Sequence, residues 1–387
     1  MSLCTLALLG STGSIGKSAL AVARALPDRI RVSLLAAGRN WELLAEQARE
    51  FRPDCVCLED AAHLDDLHAA VPAGCKVISG REALCEAVAA PEISTVLCAI
   101  VGTGGLFPTL SAIRARKTIA LASKEVMVMA GRLVTDEAKA NAVRILPVDS
   151  EHSALFQCLE GRRPSEVAQL ILTASGGPFR NTPVSEMDKM TWEQALAHPT
   201  WSMGPKVTVD SASLMNKALE MIEARWLFAV ESPRIEVLVH PQSIVHSLVR
   251  FRDGALMAQM SLPDMRFPIQ YALTWTEHIA SDLPALDLAS VPSLEFERPD
   301  ESHFPSLGLA RSALDAGGAL PAVLYAANEI AFERFRAGTI RFTDIWRIVE
   351  RTMAALGQCG DETLDAVLEA DARAREYARG LVLSAPK

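Results

Sequence analysis

The chain has 387 residues, of which 50% are hydrophobic and 22% are charged. This length and composition are typical of a globular protein with two or three domains, each able to bury a core. The formal net charge of −9 argues against nucleic acid or an anionic membrane as partner, because both bind basic surfaces. An anionic substrate would therefore have to be met by local positive charge.

The chain begins with an apolar run over residues 3–9 that lacks preceding basic residues and is too short to cross a bilayer. A glycine turn follows directly, so this run is predicted to be a first β-strand rather than a targeting segment. The eight cysteines are scattered and form no pair of C-x-x-C units. We therefore expect reduced thiols in a cytoplasmic protein.

Residues 1–149 alternate short apolar runs with amphipathic stretches. Apolar strands separated by helices predict an α/β fold with a Rossmann-type, doubly wound parallel sheet. The predicted strands are 3–9, 32–36, 55–58, 76–78, 95–100, 118–121 and 144–148. The predicted helices are 17–26, 43–51, 82–89 and 106–116.

The rest of the chain is predicted to contain three further parts. Residues 150–276 mix strands with helices and predict a central α+β catalytic and connective domain, with strands at 170–174, 235–238, 244–250 and 256–262. Residues 277–305 include a proline-rich stretch with little periodicity, which is typical of a linker. Residues 306–387 predict a C-terminal helical bundle, with helices at 310–316, 320–336, 343–356 and 363–381.

A glycine-rich turn, 10–16, lies between the first predicted strand and the first predicted helix. Glycines there let the backbone approach a pyrophosphate, whose charge is met by amides at the helix N-terminus. The predicted cofactor contacts are Thr12, Gly13, Ser14 and Ile15. A purely structural glycine turn is the alternative.

The end of the second strand distinguishes between nicotinamide cofactors. NAD-binding proteins usually carry an acidic residue there, whereas this chain has Gly38, Arg39 and Asn40. An arginine accommodates a 2′-phosphate, so NADPH is favoured over NADH. The alternative is a solvent-exposed arginine without a ligand.

Acidic residues concentrate in two segments of the chain. Asp149 and Glu151 follow an apolar run, and in an extended backbone side chains two apart share one face. Helical spacing places Asn216, Lys217 and Glu220 on another common face. Three carboxylates beside an ammonium and an amide predict a site for a hard divalent cation and a phosphorylated, hydroxylated substrate.

Seven motifs together resemble the 1-deoxy-D-xylulose 5-phosphate reductoisomerase family over nearly the whole chain. They lie at 10–16, 122–125, 147–152, 174–180, 198–204, 209–220 and 240–243. The resemblance implies conversion of 1-deoxy-D-xylulose 5-phosphate to 2-C-methyl-D-erythritol 4-phosphate, within isoprenoid precursor biosynthesis by the methylerythritol phosphate route. It also implies a metal-assisted rearrangement, reduction by NADPH, and a homodimer.

The resemblance assigns roles to individual positions. The implied ligands of a magnesium, manganese or cobalt ion are Asp149, Glu151 and Glu220, which with Lys124 and His198 form the implied catalytic set. The implied substrate contacts are Lys124, Ser150, Glu151, Ser175, His198, Trp201, Ser211, Asn216, Lys217 and Glu220. Further implied cofactor contacts are Ser123, Glu125 and Gly204. Residues 198–204 would form a flap over the substrate.

Two other functions remain as alternatives. An NADP-dependent semialdehyde or homoserine-type dehydrogenase could share the first domain, but it would not need three metal-binding carboxylates. A nucleotide-sensing module without enzymatic activity would not need Lys124 or the flap. The chain departs from the usual family pattern at Ser123, Ala174, Pro205 and Ala218, which bears on cofactor affinity and rate rather than on the reaction.

Overall fold

The computed structural model describes residues 3–201 and 203–383. The chain forms two compact units. The first unit takes the chain up to Val126 together with Val134–Phe156 and Asp264–Ala285. The second takes Met127–Leu133, Gln157–Pro263 and the chain from Leu286 onward. Each unit is discontinuous in sequence, and the four-part division described above stays a prediction.

Eleven strands in the described residues form two sheets. They are β1 (Cys4–Leu9), β2 (Ile30–Ala37), β3 (Cys55–Leu58), β4 (Lys76–Ser79), β5 (Thr95–Cys98), β6 (Thr118–Leu121), β7 (Ile145–Pro147), β8 (Val167–Ala174), β9 (Ile235–Val239), β10 (Val245–Phe251) and β11 (Leu256–Met260). The first seven belong to a parallel sheet and the last four to a mixed sheet. Every strand predicted from the sequence is present, with ends that differ by three residues or fewer.

The same described residues contain fifteen α-helices. They are α1 (Ser14–Ala25), α2 (Trp41–Phe51), α3 (Leu64–Ala70), α4 (Arg81–Val88), α5 (Leu106–Arg114), α6 (Lys124–Ala140), α7 (Ser150–Leu159), α8 (Trp192–Leu196), α9 (Pro205–Ala212), α10 (Met215–Leu227), α11 (Arg266–Thr274), α12 (Ser306–Ala316), α13 (Leu320–Arg336), α14 (Asp344–Leu356) and α15 (Leu364–Gly380). Helices α12 to α15 confirm the predicted C-terminal helical region.

The sheet of the first unit has the strand order β4-β3-β2-β1-β5-β6-β7. Its strands are apolar along their length because helices cover both faces; Leu6 to Leu9 of β1, for example, are fully buried. The order reverses beside β1, since β2 lies on one side and β5 on the other. Ligands of doubly wound sheets bind at the carboxyl ends of the strands at such a reversal, and the predicted Rossmann-type fold is confirmed.

The sheet of the second unit has the order β11-β10-β8-β9. Strand β10 runs antiparallel to both neighbours, with Leu248 opposite Ile171 of β8 and Ala258 of β11. Strand β9 is parallel to β8. The long helix α13 packs against α14 and α15, so the helical tail has its own apolar interior.

All eight cysteines lie in the described residues and are unbridged, as predicted. Burial raises the pKa of the Cys57 thiol to about 12 and that of Cys158 to about 11, so both thiols are held in the neutral form. Among residues 3–201 and 203–383, no helix has the length and apolar character that crossing a membrane requires.

Helix α6 is interrupted at Ala130, whose backbone angles (φ −134°, ψ 32°) are not helical. At the next residue, Gly131, an added Cβ would lie 2.2 Å from Cδ1 of Trp226 on α10. The indole therefore packs directly on the glycine backbone. No other residue type fits there unless Trp226 moves.

We predict that Gly131→Ala lowers the free energy of unfolding by about 2 kcal/mol, because the new methyl group overlaps the indole. Gly308→Ala is the matched control: Gly308 is also helical, but its added Cβ would meet only Glu301 Oε2, at 4.0 Å. That change should raise stability by roughly 0.5–1 kcal/mol through helix propensity. Urea denaturation of the two variants checks the contrast, and equal midpoints would rule out the steric explanation.

Candidate active site

The glycine turn after β1 has the shape of an anion-binding loop. Gly10 has a φ of +89°, and an added Cβ would lie 2.5 Å from the carbonyl oxygen of Ala99. At Gly16 an added Cβ would lie 2.3 Å from the Gly10 carbonyl oxygen. Gly13 is the N-cap of α1, and the amides of a first helical turn lack intrahelical acceptors. The turn, which includes the predicted contacts Thr12, Ser14 and Ile15, therefore fits a pyrophosphate.

The segment after β2 presents an exposed guanidinium. The Arg39 side chain is 90% exposed, and its Nε lies 3.7 Å from Asp60 Oδ2. Asn40 accepts a hydrogen bond from the amide of Leu43 at 3.0 Å, so its side chain caps α2. Gly38 precedes them at the carboxyl end of β2. Because this ion pair is long and the guanidinium is exposed, Arg39 can bind a 2′-phosphate. The amide oxygen of Asn40 already has a structural role as a helix cap.

Helix α6 begins where the chain leaves β6. Ser123 is its N-cap residue and is 3% exposed, and its hydroxyl donates to the carbonyl of Ile100. Lys124 and Glu125 are the first two helical residues. The Lys124 ammonium contacts the Asp149 carboxylate, and both side chains are about one-tenth exposed. A lysine and an aspartate that are distant in sequence thus form a nearly buried ion pair.

The backbone at Asp149 differs from the prediction. The extended conformation expected over 149–151 is wrong, because α7 begins at Ser150 and the Asp149 carbonyl accepts from the amide of Ser153 at 2.8 Å. The helical start still brings the acidic groups together, since carboxylate oxygens of Asp149 and Glu151 lie within 4.8 Å of each other. Ser150 Oγ donates to Glu151 Oε2 at 2.6 Å.

The charge state of Asp149 is determined by opposing effects. Burial raises the pKa of this carboxyl. The Lys124 ammonium and the nearby His152 ring lower the pKa by more than burial raises it, so the pKa of Asp149 lies below its usual range. Asp149 therefore stays ionised at neutral pH.

A ring nitrogen of His152 lies within 4.8 Å of an Asp149 oxygen, and the sequence analysis assigned no role to this histidine. Its position three residues after Asp149, one helical turn on, was the available signal.

Helix α10 of the second unit confirms the predicted common face. Asn216 Nδ2 donates to Glu220 Oε1 at 2.6 Å, and the Lys217 ammonium contacts Glu220 Oε2. Lys217 and Glu220 are 3% and 1% exposed. Each carboxylate oxygen of Glu220 thus has a donor, which offsets the cost of burying its charge.

A histidine and two serines converge in the second unit. His198 Nε2 lies 3.0 Å from Ser175 Oγ and 3.1 Å from Ser211 Oγ. His198 Nδ1 accepts from the amides of Thr200 and Trp201 at 3.1 and 2.9 Å, so the ring proton is on Nε2. Burial lowers the pKa of His198, which favours this neutral form. The three side chains provide hydrogen-bond donors for one anion.

The predicted flap, 198–204, is described except for Ser202, which lies outside the described residues. The Trp201 ring packs edge-on against the His246 ring, with centroids 6.4 Å apart. His246 is 5% exposed and bonds to Ser261 Oγ at 2.9 Å, and burial lowers its pKa to about 4. His246 is therefore a neutral packing partner of Trp201. Gly204, the last residue of the predicted flap, is the N-cap of α9.

Two further groups of polar residues have structural contacts. His240 Nδ1 donates to the Glu295 carbonyl at 2.8 Å, and its Nε2 accepts from two backbone amides at 3.1 Å. Asn328 and Glu329 of α13 belong to a network with Lys206 and Asp210 of α9. The sequence analysis assigned no role to Lys206 or Asp210, although Lys206 lies two residues after the flap and Asp210 lies within the motif at 209–220.

A parallel sheet with a pyrophosphate-shaped turn, together with carboxylates held beside lysines, defines a dinucleotide-dependent α/β enzyme. Family models for 1-deoxy-D-xylulose 5-phosphate reductoisomerase, its C-terminal domain and the DXP reductoisomerase C-terminal domain match residues 6–131, 145–228 and 260–377. The chain belongs to the 1-deoxy-D-xylulose 5-phosphate reductoisomerase family, and the resemblance found in the sequence is confirmed.

Individual relatives match the chain almost from end to end. The reductoisomerase of Chlorobium limicola is 51% identical over 378 residues, which cover 97% of this chain and 99% of the relative. The solved structure of the Zymomonas mobilis reductoisomerase in complex with NADPH is 41% identical, with a TM-score of 0.92 and coverage of 97% and 98%. A reductoisomerase solved with NADPH, fosmidomycin and magnesium gives the same TM-score, identity and coverage.

Proposed function

We propose that this chain catalyses the NADPH- and divalent-metal-dependent rearrangement and reduction of 1-deoxy-D-xylulose 5-phosphate to 2-C-methyl-D-erythritol 4-phosphate. The observation that carries the proposal is the pairing of acidic side chains with lysines in a chain of this family: Asp149 with Lys124, and Glu220 with Lys217. Relatives that are about half identical all bear the reductoisomerase name, and this favours it over the dehydrogenase alternative.

The proposed metal ligands are Asp149, Glu151 and Glu220. Their donor atoms are all carboxylate oxygens, which suit a hard cation such as magnesium or manganese. The Lys124 ammonium keeps Asp149 ionised, so it is ready to accept a cation without first losing a proton. The bound ion would supply positive charge that polarises the carbonyl of the substrate.

The proposed substrate contacts divide by chemistry. His198 Nε2–H and the hydroxyls of Ser175 and Ser211 would donate to the phosphate, since all three already converge on one point. Lys124 would hold or move a proton at a reacting hydroxyl beside Ser150. Trp201 of the flap would cover the carbon skeleton and exclude water. Asn216 and Lys217 would contact the substrate from α10.

The proposed cofactor is NADPH, which a relative from Zymomonas mobilis binds. The close approaches at Gly10 and Gly16 keep the turn compact, because a side chain at either position would overlap backbone atoms of neighbouring residues. Arg39 would face the 2′-phosphate, and residues 123, 125 and 204 would contact the nicotinamide side. The buried hydroxyl of Ser123 donates to a backbone carbonyl, so that contact would be less direct than one from an asparagine amide.

Cofactor oxidation with two candidate substrates and a control without substrate tests the proposal. NADPH absorbance should fall with 1-deoxy-D-xylulose 5-phosphate, and it should stay constant with aspartate semialdehyde or with no substrate. Chelation with EDTA should stop the reaction and added manganese should restore it. Turnover of the semialdehyde alone would favour the dehydrogenase, and turnover that survives chelation would remove the metal from the reaction.

The resemblance also leads us to propose a homodimer in the cytoplasm. Strand β11 is at the edge of the second sheet, so among the described residues only one side of its backbone is paired with another strand; it carries Leu256, which is 54% exposed. An exposed edge of this kind suits pairing with a second copy of the chain. Sedimentation velocity would show a dimer, and a monomer at micromolar concentration would contradict this part of the proposal.

A further inference from the structure

Helix α9 contains a buried ion pair to which the proposed chemistry gives no role. The Lys206 ammonium contacts the Asp210 carboxylate one helical turn away, and Asp210 is 4% exposed. Burial raises the pKa of Asp210, while Lys206 and Asn328 oppose that rise. Burying a carboxylate on an eight-residue helix is costly, so its partners determine where the helix can sit.

Two of those partners come from α13. Asn328 is 1% exposed, and its Nδ2 donates to Asp210 Oδ1 at 3.0 Å. Lys206 Nζ lies 3.4 Å from Glu329 Oε1 and 5.6 Å from the centre of the Phe332 ring. The two charged groups of α9 are thus held by neighbouring residues on one face of the long helix. This contact fixes the rotation of α9 about its axis.

Rotation of α9 matters because Ser211 follows Asp210 directly. Successive residues of a helix point about 100° apart, so fixing one side chain fixes the direction of the next. Ser211 Oγ lies 3.1 Å from His198 Nε2. The backbone of Ser211 is also closely packed, since a Cβ on Gly177 would lie 2.6 Å from the Ser211 carbonyl oxygen.

We propose that Asp210, clamped between Lys206 and Asn328, is a positioning residue that orients the Ser211 hydroxyl toward the substrate phosphate. The inference rests on the proposed function, because it assumes that Ser211 and His198 bind that phosphate. Asp210 is 4% exposed, so it would not itself touch the substrate. It acts through Ser211, and its effect should be seen in binding of the phosphate or phosphonate group rather than in the chemical step.

The test is a double-mutant cycle of Asp210→Asn and Ser211→Ala. Asparagine keeps the shape of the side chain but loses the charge that holds Lys206. We expect Asp210→Asn to raise KM for 1-deoxy-D-xylulose 5-phosphate and Kd for fosmidomycin about tenfold, the scale of one hydrogen bond to a charged group. The kcat should change less than about threefold, and the Kd effect should vanish in the Ser211→Ala background.

Fosmidomycin binding is measured by calorimetry with NADPH and magnesium present. Asn328→Ala removes the other side of the clamp without changing a charge, and it should give a smaller change in the same direction. This variant replaces Asp210→Asn in the cycle if the latter does not fold. Asp188→Asn is the control, because in the described part of the chain Asp188 bonds to Arg341 at 3.3 Å and to Thr343 and Arg347 rather than to α9.

Unchanged KM and Kd in Asp210→Asn would overturn the inference. It would also be overturned if Asp210→Asn weakened fosmidomycin binding by the same factor in the Ser211→Ala background as in wild type. If Asp188→Asn weakened fosmidomycin binding as much as Asp210→Asn does, the effect would be general destabilisation, and the inference would be overturned as well. Calorimetry does not require turnover. A wild-type protein that binds fosmidomycin but does not oxidise NADPH would therefore contradict the proposed reaction, while the cycle would still decide the role of Asp210.

Discussion

Glu220→Gln should reduce kcat by at least ~10³-fold while NADPH still binds, because the reaction would lose the charge of a proposed metal ligand. Glutamine keeps the side-chain volume, and its oxygen can still accept from Asn216. The buried Lys217 ammonium would lose its anionic partner. Steady-state kinetics and NADPH fluorescence measure the two effects separately.

Glu236→Gln is the matched control for that variant. Glu236 lies in the same unit on β9, and its partner Arg250 is 3.8 Å away with both side chains partly exposed. Such a pair contributes little, so turnover should stay near the wild-type value. Normal kcat in Glu220→Gln would refute the proposed role of Glu220, and loss of NADPH binding would point to misfolding instead.

Lys124→Met should reduce kcat by more than ~100-fold, since it removes a proposed proton-handling group from the site. It should also make manganese binding more sensitive to acid pH. Without the ammonium, the pKa of the buried Asp149 carboxyl rises, and a larger fraction of Asp149 is protonated at any given pH. The variant should therefore regain part of its metal affinity as the pH is raised, which the free-manganese resonance signal measures.

The control for Lys124→Met is Lys117→Met, another lysine of the first unit with little exposure. Its ammonium donates to the Ala90 carbonyl at 2.6 Å and has no proposed part in the site. This variant should keep its manganese affinity at every pH. Identical manganese binding in wild type and Lys124→Met would show that the ammonium does not govern the charge of Asp149.

The sequence predicted most of the fold because its local patterns are strong. Continuous apolar runs gave the strands of the first sheet to within a few residues, and helix α13 has the predicted bounds of 320–336. The glycine turn and the spacing of Asn216, Lys217 and Glu220 were also readable, since both depend on the local backbone. The prediction failed at Asp149, where the strand ends earlier and a helix begins at once.

Pairings between distant residues were not readable in the same way. The contact between Lys124 and Asp149 joins the first turn of one helix to the residue before another. The pairing of Asp210 with Asn328 spans 118 positions. Local periodicity does not indicate which buried polar groups will contact one another, because that depends on how separate helices and strands pack.

By itself, the sequence determined the parallel sheet, the glycine turn and the acidic and basic groups available for chemistry, since backbone propensity and side-chain spacing act over short distances. Only the tertiary structure decided the partners of those groups. It placed an ammonium against Asp149, put the proton of His198 on Nε2 between two serines, and set Trp226 against Gly131. These are effects of burial and contact, and they arise only once remote segments pack together.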